Sequence, residues 1–359
     1  MTPKERLLAA IKGEPIDRVP FSPFLAYYFE TLDAKTQEKG MLDYLEKMNA
    51  DPLLRGFYAP WSGVYKNCTI SENIIGKKKT IIRQTPKGDL TEEYTYVLDA
   101  NTWFLTKHPV ETKDDLSKLI YCFEDLQINP EIEGFNAILK DIGERALVLN
   151  TVGTNAKSAF QSLLEHWIGT ENLIYMCYDY PDEIEQVLDV MKRKSLKTIE
   201  YTAESESEAC ISWEDSSTTN ISPAMYEKYI APEITEWVNI LKQSDTLYIQ
   251  HACGHLKDLL LPISKQGVAA IESVSPPPTG NITIEEALDI VPNNVALIGG
   301  IEATFILNCS MKELEEYVEH VLTLNKGRKY ILANSDSCPP GVDYKKFTRI
   351  AELVRQIKI

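Results

Sequence analysis

The 359-residue chain is short of positive charge: 37 Lys and Arg stand against 53 Asp and Glu, a formal net charge of −16 at pH 7. Nucleic acids and anionic membrane surfaces attract clustered basic residues, so neither is an expected partner. No apolar stretch reaches the length of a membrane span; Val19–Phe29 is among the longest, and Pro and Ser interrupt it. The opening MTPKERLLAA lacks the apolar centre and small-residue cleavage site of a secretory signal. Seven cysteines, odd in number and scattered, are not the layout of a disulfide framework. Free thiols in a reducing, cytoplasmic setting are expected. Neither G-x-x-x-x-G-K-[ST] nor a post-strand G-x-G-x-x-G occurs, so no phosphate-cradling loop is indicated. Repeats, heptads and low-complexity tracts are also missing.

What is present is core material, 44% hydrophobic residues, in a strict rhythm. Short apolar runs occur at Ala146–Val152, Ala209–Trp213, Leu247–Ala252, Val268–Val274, Val295–Ile301 and Lys329–Ala333, with amphipathic helical patterns between them. Continuous apolar strands alternating with helices mean a parallel sheet covered by helices. Val19–Phe24 and Asp51–Tyr58 supply two further strand candidates, which makes eight. The expected fold is a single (β/α)₈ TIM barrel over residues 1–359, with a doubly wound open sheet as the alternative. Thr2, Pro3, Glu5 and Gly13 mark the start and stop of a first helix. Residues 64–107 break the rhythm: apolar and polar residues alternate around the turn signal Pro86-Lys87-Gly88-Asp89, which predicts an inserted antiparallel β-hairpin.

In a barrel the chemistry gathers at the C-terminal ends of the strands. His251 and Cys253 sit two residues apart, hence on one face, at the exit of the fifth strand, and Gly254 lets the chain turn. Cys338 follows the last strand and precedes Pro339-Pro340-Gly341. One imidazole and two thiolates suit Zn²⁺, and three protein ligands leave a position for water or substrate. The alternative is that both cysteines are small buried hydrophobes and His251 a hydrogen-bonded core residue. Glu272 interrupts the apolar run VAAIESV, and a buried carboxylate needs a metal or a partner. It is the candidate fourth ligand, with a salt bridge as the other reading. Glu214 and Asp215 end the fourth strand as candidate acids, Asp215 serving equally well as an N-cap. Tyr27, Tyr28, Tyr58, Trp61 and Trp213 crowd the early strand ends, where they line a pocket for a flat apolar substrate or simply cover the core. His108, His166 and His320 read as surface residues.

The chain resembles the uroporphyrinogen decarboxylase-like superfamily over nearly its whole length. The resemblance rests on Arg6…Gly13…Asp17-Arg18-Val19-Pro20, Trp213-Glu214-Asp215-Ser216, His251-x-Cys253-Gly254 and Cys338-Pro339-Pro340-Gly341. Within that superfamily, H-x-C with a distant Cys resembles the zinc signature of the cobalamin-dependent methyltransferases, which are (β/α)₈ barrels that move a methyl group to or from the cobalt of a corrinoid protein. By this likeness His251, Cys253 and Cys338, with Glu272, hold Zn²⁺, and Asp215 or Glu214 orients the substrate or delivers a proton. No cobalamin-binding D-x-H-x-x-G occurs, so a separate corrinoid-binding protein is the implied partner. Uroporphyrinogen decarboxylases carry an arginine-rich segment after the first strand for their substrate's carboxylates, and no Arg occurs here between Arg18 and Arg55, so decarboxylation is the less favoured alternative. Two directions of transfer remain: removal of methyl from a small substrate such as an aryl methyl ether to Co(I), or transfer from a methylated corrinoid to a zinc-bound thiol such as coenzyme M. The aromatic strand ends and the few basic residues near them favour the first. Glu272–Gly280 also resembles the corresponding segment of O-demethylase methyltransferases. A barrel that binds without catalysing is the non-enzymatic alternative.

Overall fold

The computed structural model describes residues 1–98 and 101–357; Asp99 and Ala100, within the expected hairpin region, lie outside the described residues. Helix α1 (Pro3–Lys12) opens the chain with a capping box between Thr2 and Glu5 and stops at Gly13, whose φ of 77° is left-handed. The short helix α2 (Ala26–Glu30) and α3 (Ala34–Lys47) follow, and then strand β1 (Leu53–Arg55).

Next come β2 (Trp61–Tyr65), β3 (Thr69–Ile75), β4 (Lys78–Thr85), β5 (Gly88–Val97) and β6 (Thr102–Lys107), then α4 (Lys113–Asp125) and β7 (Leu126–Pro130). β3 to β6 form a four-stranded antiparallel sheet in chain order, and β2 pairs with β7 in a second, two-stranded one. The expected single hairpin is thus only the β4–β5 centre of a larger unit. The sequence signal was dominated by its strongest turn, Pro86-Lys87, while the flanking turn at Gly76 carries no such pair.

After α5 (Ile132–Ile142) the strict rhythm is realised as β8 (Leu147–Thr151), β9 (Ala209–Trp213), β10 (Leu247–His251), β11 (Ala270–Val274), β12 (Ala296–Glu302) and β13 (Tyr330–Ser335). With β1 they make a seven-stranded parallel sheet, every neighbour following in chain order. The expected first strand, Val19–Phe24, is reduced to one bridge between Phe21 and Leu332. Pro20 and Pro23 lack N–H donors and cannot extend the ladder. The segment still links the sheet's two edges. The Ser22 N–H donates to Leu332 O at 2.9 Å, and on the other side the Asp51 N–H donates to Phe21 O at 2.7 Å. The curled sheet is therefore consistent with a TIM-type barrel whose eighth stave is nearly devoid of strand geometry.

Alternation along the strands sorts side chains inward and outward. Leu53, Leu147, Leu149, Ile211, Ile249, Ile298 and Ile331 fill the interior, and Leu7, Ala10 and Ile11 of α1 plug its N-terminal end. The other faces pack beneath the surrounding helices in a second, larger cluster.

The opening motif explains itself as a clamp around the buried pair Arg6 and Asp51. Arg6 donates to Asp17 at 2.6 and 2.7 Å and to Asp51 at 2.6 Å, while Arg18 donates to Asp51 at 2.7 and 2.9 Å. Asp51 also accepts the Phe21 N–H, at 3.0 Å, so one carboxylate ties α1, the degenerate stave and the approach to β1 together. Removing one member of a buried ion cluster strands the others without a partner. Asp51→Ala is expected to cost about 3–5 kcal/mol of stability, read by denaturant unfolding; a loss below about 1 kcal/mol would show that the clamp is incidental.

Candidate active site

The last inward layer of the barrel is polar. His251 follows Ile249 on the inner face of β10, and the register sets it beside Trp213 of β9 and Glu272 of β11. Arg55 shares the inward parity of Leu53 on β1 and reaches the same layer. Beyond it, Glu214 and Asp215 leave β9, and Cys253-Gly254 leave β10. Gly254 is required there: its φ is 76°, and a Cβ would lie 2.9 Å from Ser217 Oγ.

Charges alternate across this layer. The Arg55 Nε–H donates to Glu272, whose other oxygen lies 2.8 Å from His251 Nδ1. A carboxylate only accepts, so Nδ1 carries a hydrogen. On the far side of the ring, Nε2 lies 3.2 Å from Asp215 Oδ1. The Cys253 thiol donates to that same oxygen at 3.5 Å. The other Asp215 oxygen accepts from Lys157 Nζ at 2.5 Å, and Lys157 also meets Glu165 at 2.7 Å. Burial works against a charged His251, yet hydrogen bonds from its ring to Asp215 and Glu272, with the Cys253 contact, hold it well above the ordinary imidazole range. Burial likewise opposes the Asp215 carboxylate, but the His251 hydrogen bond and the Lys157 charge keep it far below the usual range. Glu272 is held down to about 2: burial opposes its charge, and Arg55 and His251 outweigh the burial. Burial pushes the Cys253 thiol up to about 11.

Asp215, His251 and Cys253 together offer one oxygen, one nitrogen and one sulfur, all within 4.8 Å of one another. Tetrahedral zinc holds such ligands about 3.4–3.7 Å apart, so this donor set fits a cation in place of the Nε2 proton. Of the residues expected to hold metal, His251 and Cys253 are brought together. Glu272 binds the rear of His251 rather than joining the cluster. Cys338 is fully buried, with Sγ 3.7 Å from the Pro339 carbonyl oxygen, and burial pushes its thiol up to about 12. It is not among the converging donors; Asp215 is.

Asp215 and His251 line a cavity of about 480 Å³ walled by Phe24, Tyr27, Phe57 and Trp213, with Arg55, Lys157, His166 and Asp336 also on its lining. Trp213 stacks on Phe24 with ring centroids 5.4 Å apart. Of the expected aromatic wall, Tyr27 and Trp213 take part. Tyr28 turns instead to Tyr44 and Phe347, Tyr58 packs beside Phe57, and Trp61 donates its Nε1–H to Thr151 O at 3.1 Å. His166 is no surface residue: it lines the cavity, and burial holds its ring down to about 4. It sits in a π-helical turn, Leu163–Trp167. The extra residue of such a turn rotates the following side chains by about 100°, which no regular periodicity reveals. Arg55 did have a signal, a lone charge in the apolar run Pro52–Tyr58, like that of Glu272.

Glu214 faces away from the cavity and secures its wall. It accepts from Ser158 N and Oγ at 2.8 and 2.6 Å and from Ser212 Oγ at 2.7 Å. Glu233 accepts the Ala159 N–H at 2.9 Å. Two buried carboxylates thus grip the start of α6 (Ala159–Ser162), next to Lys157. Burial lifts the Glu233 carboxyl from 4.5 to about 8, against that one hydrogen bond. A carboxyl raised on folding stabilises fully below its unfolded pKa and loses that contribution as pH rises through the folded one. Stability is therefore expected to fall as pH climbs from 4.5 to about 8 and to level off above. Glu233→Gln should flatten that window in thermal melts; an unaltered profile would assign the slope to other groups.

The sequence model of the family described as uroporphyrinogen decarboxylase (URO-D) matches residues 105–357. The chain is 21% identical to methylcobamide:CoM methyltransferase MtbA of Methanosarcina acetivorans over 98% of both chains. It is also 21% identical to the MtbA of Methanosarcina mazei, over 99% of this chain and 98% of that one. A uroporphyrinogen decarboxylase of Prochlorococcus marinus is 26% identical over 46% of each. Among solved structures, a methyltransferase from Methanosarcina mazei superposes with a TM-score of 0.66 at 15% identity, covering 99% of both chains. The chain belongs to the uroporphyrinogen decarboxylase family, and the two relatives that match it over 98–99% of its length are methylcobamide:CoM methyltransferases.

Proposed function

We propose that the protein is a corrinoid-dependent methyltransferase that takes a methyl group from a small uncharged substrate, an aryl methyl ether, and passes it to the Co(I) of a separate corrinoid protein. The observation that carries this reading is the meeting of Asp215, His251 and Cys253, the first two of them lining an aromatic-walled cavity whose Arg55 and Lys157 already face carboxylates. Zn²⁺ held by the three donors would act as a Lewis acid on the ether oxygen and ease its departure. Trp213, Phe24, Tyr27 and Phe57 supply flat apolar surface for an aromatic ring. Asp215, ionised and tied to Lys157, acts as ligand and acceptor rather than proton donor. Glu214 acts at one remove, by fixing Ser158 and with it the segment that carries Lys157. The corrinoid protein would dock over the cavity mouth, where Tyr27 and Phe57 are half exposed.

The second reading, methyl transfer from a methylated corrinoid to a thiol such as coenzyme M, is favoured by the two relatives that match over 98–99% of this chain. Against it, a sulfonate would have to compete with Glu272 for Arg55 or with Asp215 and Glu165 for Lys157.

Incubation with a Co(I) corrinoid protein and methoxylated aromatics separates the two. Cobalt absorption should shift to the methylated form only when the ether is added. Methylation of coenzyme M from a methylated corrinoid, with no reaction of ethers, would establish the thiol reading instead. The purified protein is expected to bind one zinc, and His251→Ala and Cys253→Ser to lose both zinc and activity. Asp215→Ala should weaken zinc binding while Cys338→Ser retains it. The reverse pattern would mean that Cys338, not Asp215, completes the ligand set of the loaded protein.

A further inference from the structure

The polar layer contains an arginine that makes no hydrogen bond to the donor cluster, and four of its five N–H groups are spent inside the fold. Arg55 Nε–H donates to Glu272, and Nη2–H donates to Ser22 O at 3.1 Å. Nη1–H reaches Leu53 O at 3.3 Å and Pro23 O at 3.5 Å. The side chains of Arg55 and Glu272 are each 3% exposed. Burying an ion pair this deeply seldom adds stability over a well-packed apolar pair, so stability is a poor reason for its presence. What the pair does is geometric. Glu272 has two oxygens: one is occupied by Arg55 and the other lies 2.8 Å from His251 Nδ1. With the carboxylate pinned from behind, the ring can present only Nε2 toward Asp215 and Cys253.

We propose that Arg55 is a positioning residue for the donor cluster: through Glu272 it keeps the hydrogen of His251 on Nδ1 and aims the Nε2 lone pair at the cation. This rests on the reading that Asp215, His251 and Cys253 hold a metal ion. It assigns β1, which contributes no ligand, a part in metal affinity. The degenerate stave shares that part, because the Ser22 and Pro23 carbonyls fix the outer end of the guanidinium. Partners behind a metal-bound imidazole change affinity by about 10–100-fold when removed.

The test measures zinc dissociation constants by competition with a chromogenic chelator, together with thermal melting in EDTA, for the wild type, Arg55→Met, Arg55→Lys, Glu272→Gln and the Arg55→Met/Glu272→Gln double variant. Arg55→Met and Glu272→Gln should each weaken zinc binding about 10–100-fold. A glutamine has one acceptor oxygen for two competing donors. The double variant should bind no more weakly than either single one, because the two residues act in series. Arg55→Lys, which retains the charge opposite Glu272, should recover most of the affinity. If Arg55→Met fails to fold, Arg55→Gln keeps hydrogen bonds to the stave without the charge and takes its place. A folded Arg55 variant that melts lower in EDTA but binds zinc like the wild type overturns the proposal, and so do losses that multiply in the double variant. A wild-type protein that takes up no zinc fails differently: it removes the metal-holding reading itself, and this proposal with it.

Discussion

A barrel interior cannot hold a charge alone, and that constraint organises the C-terminal mouth of this protein. Placing an imidazole at the end of β10 among apolar neighbours requires partners on both sides of the ring. Glu272 supplies one and Asp215 the other, and each carboxylate then needs a cation of its own, Arg55 and Lys157 respectively. The result is a line of alternating charge drawn from β1, β11, β10, the end of β9 and the loop before α6. No two of these groups are neighbours in sequence. Each is held by the next, so the fold itself fixes the orientation of the His251 ring and of the Asp215 carboxylate beside it.

The same pairing shapes what the cavity can accept. Because its two basic residues are already matched, the cavity offers aromatic surface and donor atoms more readily than a free positive charge. Support comes from below as well as from the sides. Glu214 and Glu233 grip the backbone where α6 begins, and the π-helical turn that follows swings Glu165 and His166 toward Lys157 and the cavity. π-helical turns and left-handed non-glycine residues concentrate at functional sites. Here Asp215, Ser273 and Asp336, with φ of 36°, 75° and 68°, all lie at strand ends around this mouth.

Much of the fold was legible. The six strands from β8 to β13 fall within a few residues of the apolar runs, because a strand buried on both faces has no choice but to be apolar throughout. The degenerate stave was over-read: Val19–Phe24 has the hydrophobicity of a strand, but two prolines remove the donors that a ladder needs. The insertion was under-read, since β3 is exposed along its length and so carries no burial pattern. Within the site, the H-x-C pair and the carboxylates at the ends of β9 and β11 stood out as polar residues in apolar surroundings. Arg55 carried the same signal on β1, and only its salt bridge to Glu272 shows that the two lone charges answer each other.

Residue order alone determined the parallel alternating architecture, the shared face of His251 and Cys253, and the need of Glu272 for a partner, because these follow from period, burial and charge within single strands. Tertiary structure decided which carboxylate meets which ring nitrogen, that Asp215 rather than Cys338 stands beside the pair, and which aromatics face inward. Those outcomes depend on barrel curvature and on the rotation imposed by loops and π-helical turns. Such distances are set between elements far apart along the chain, and no local pattern encodes them.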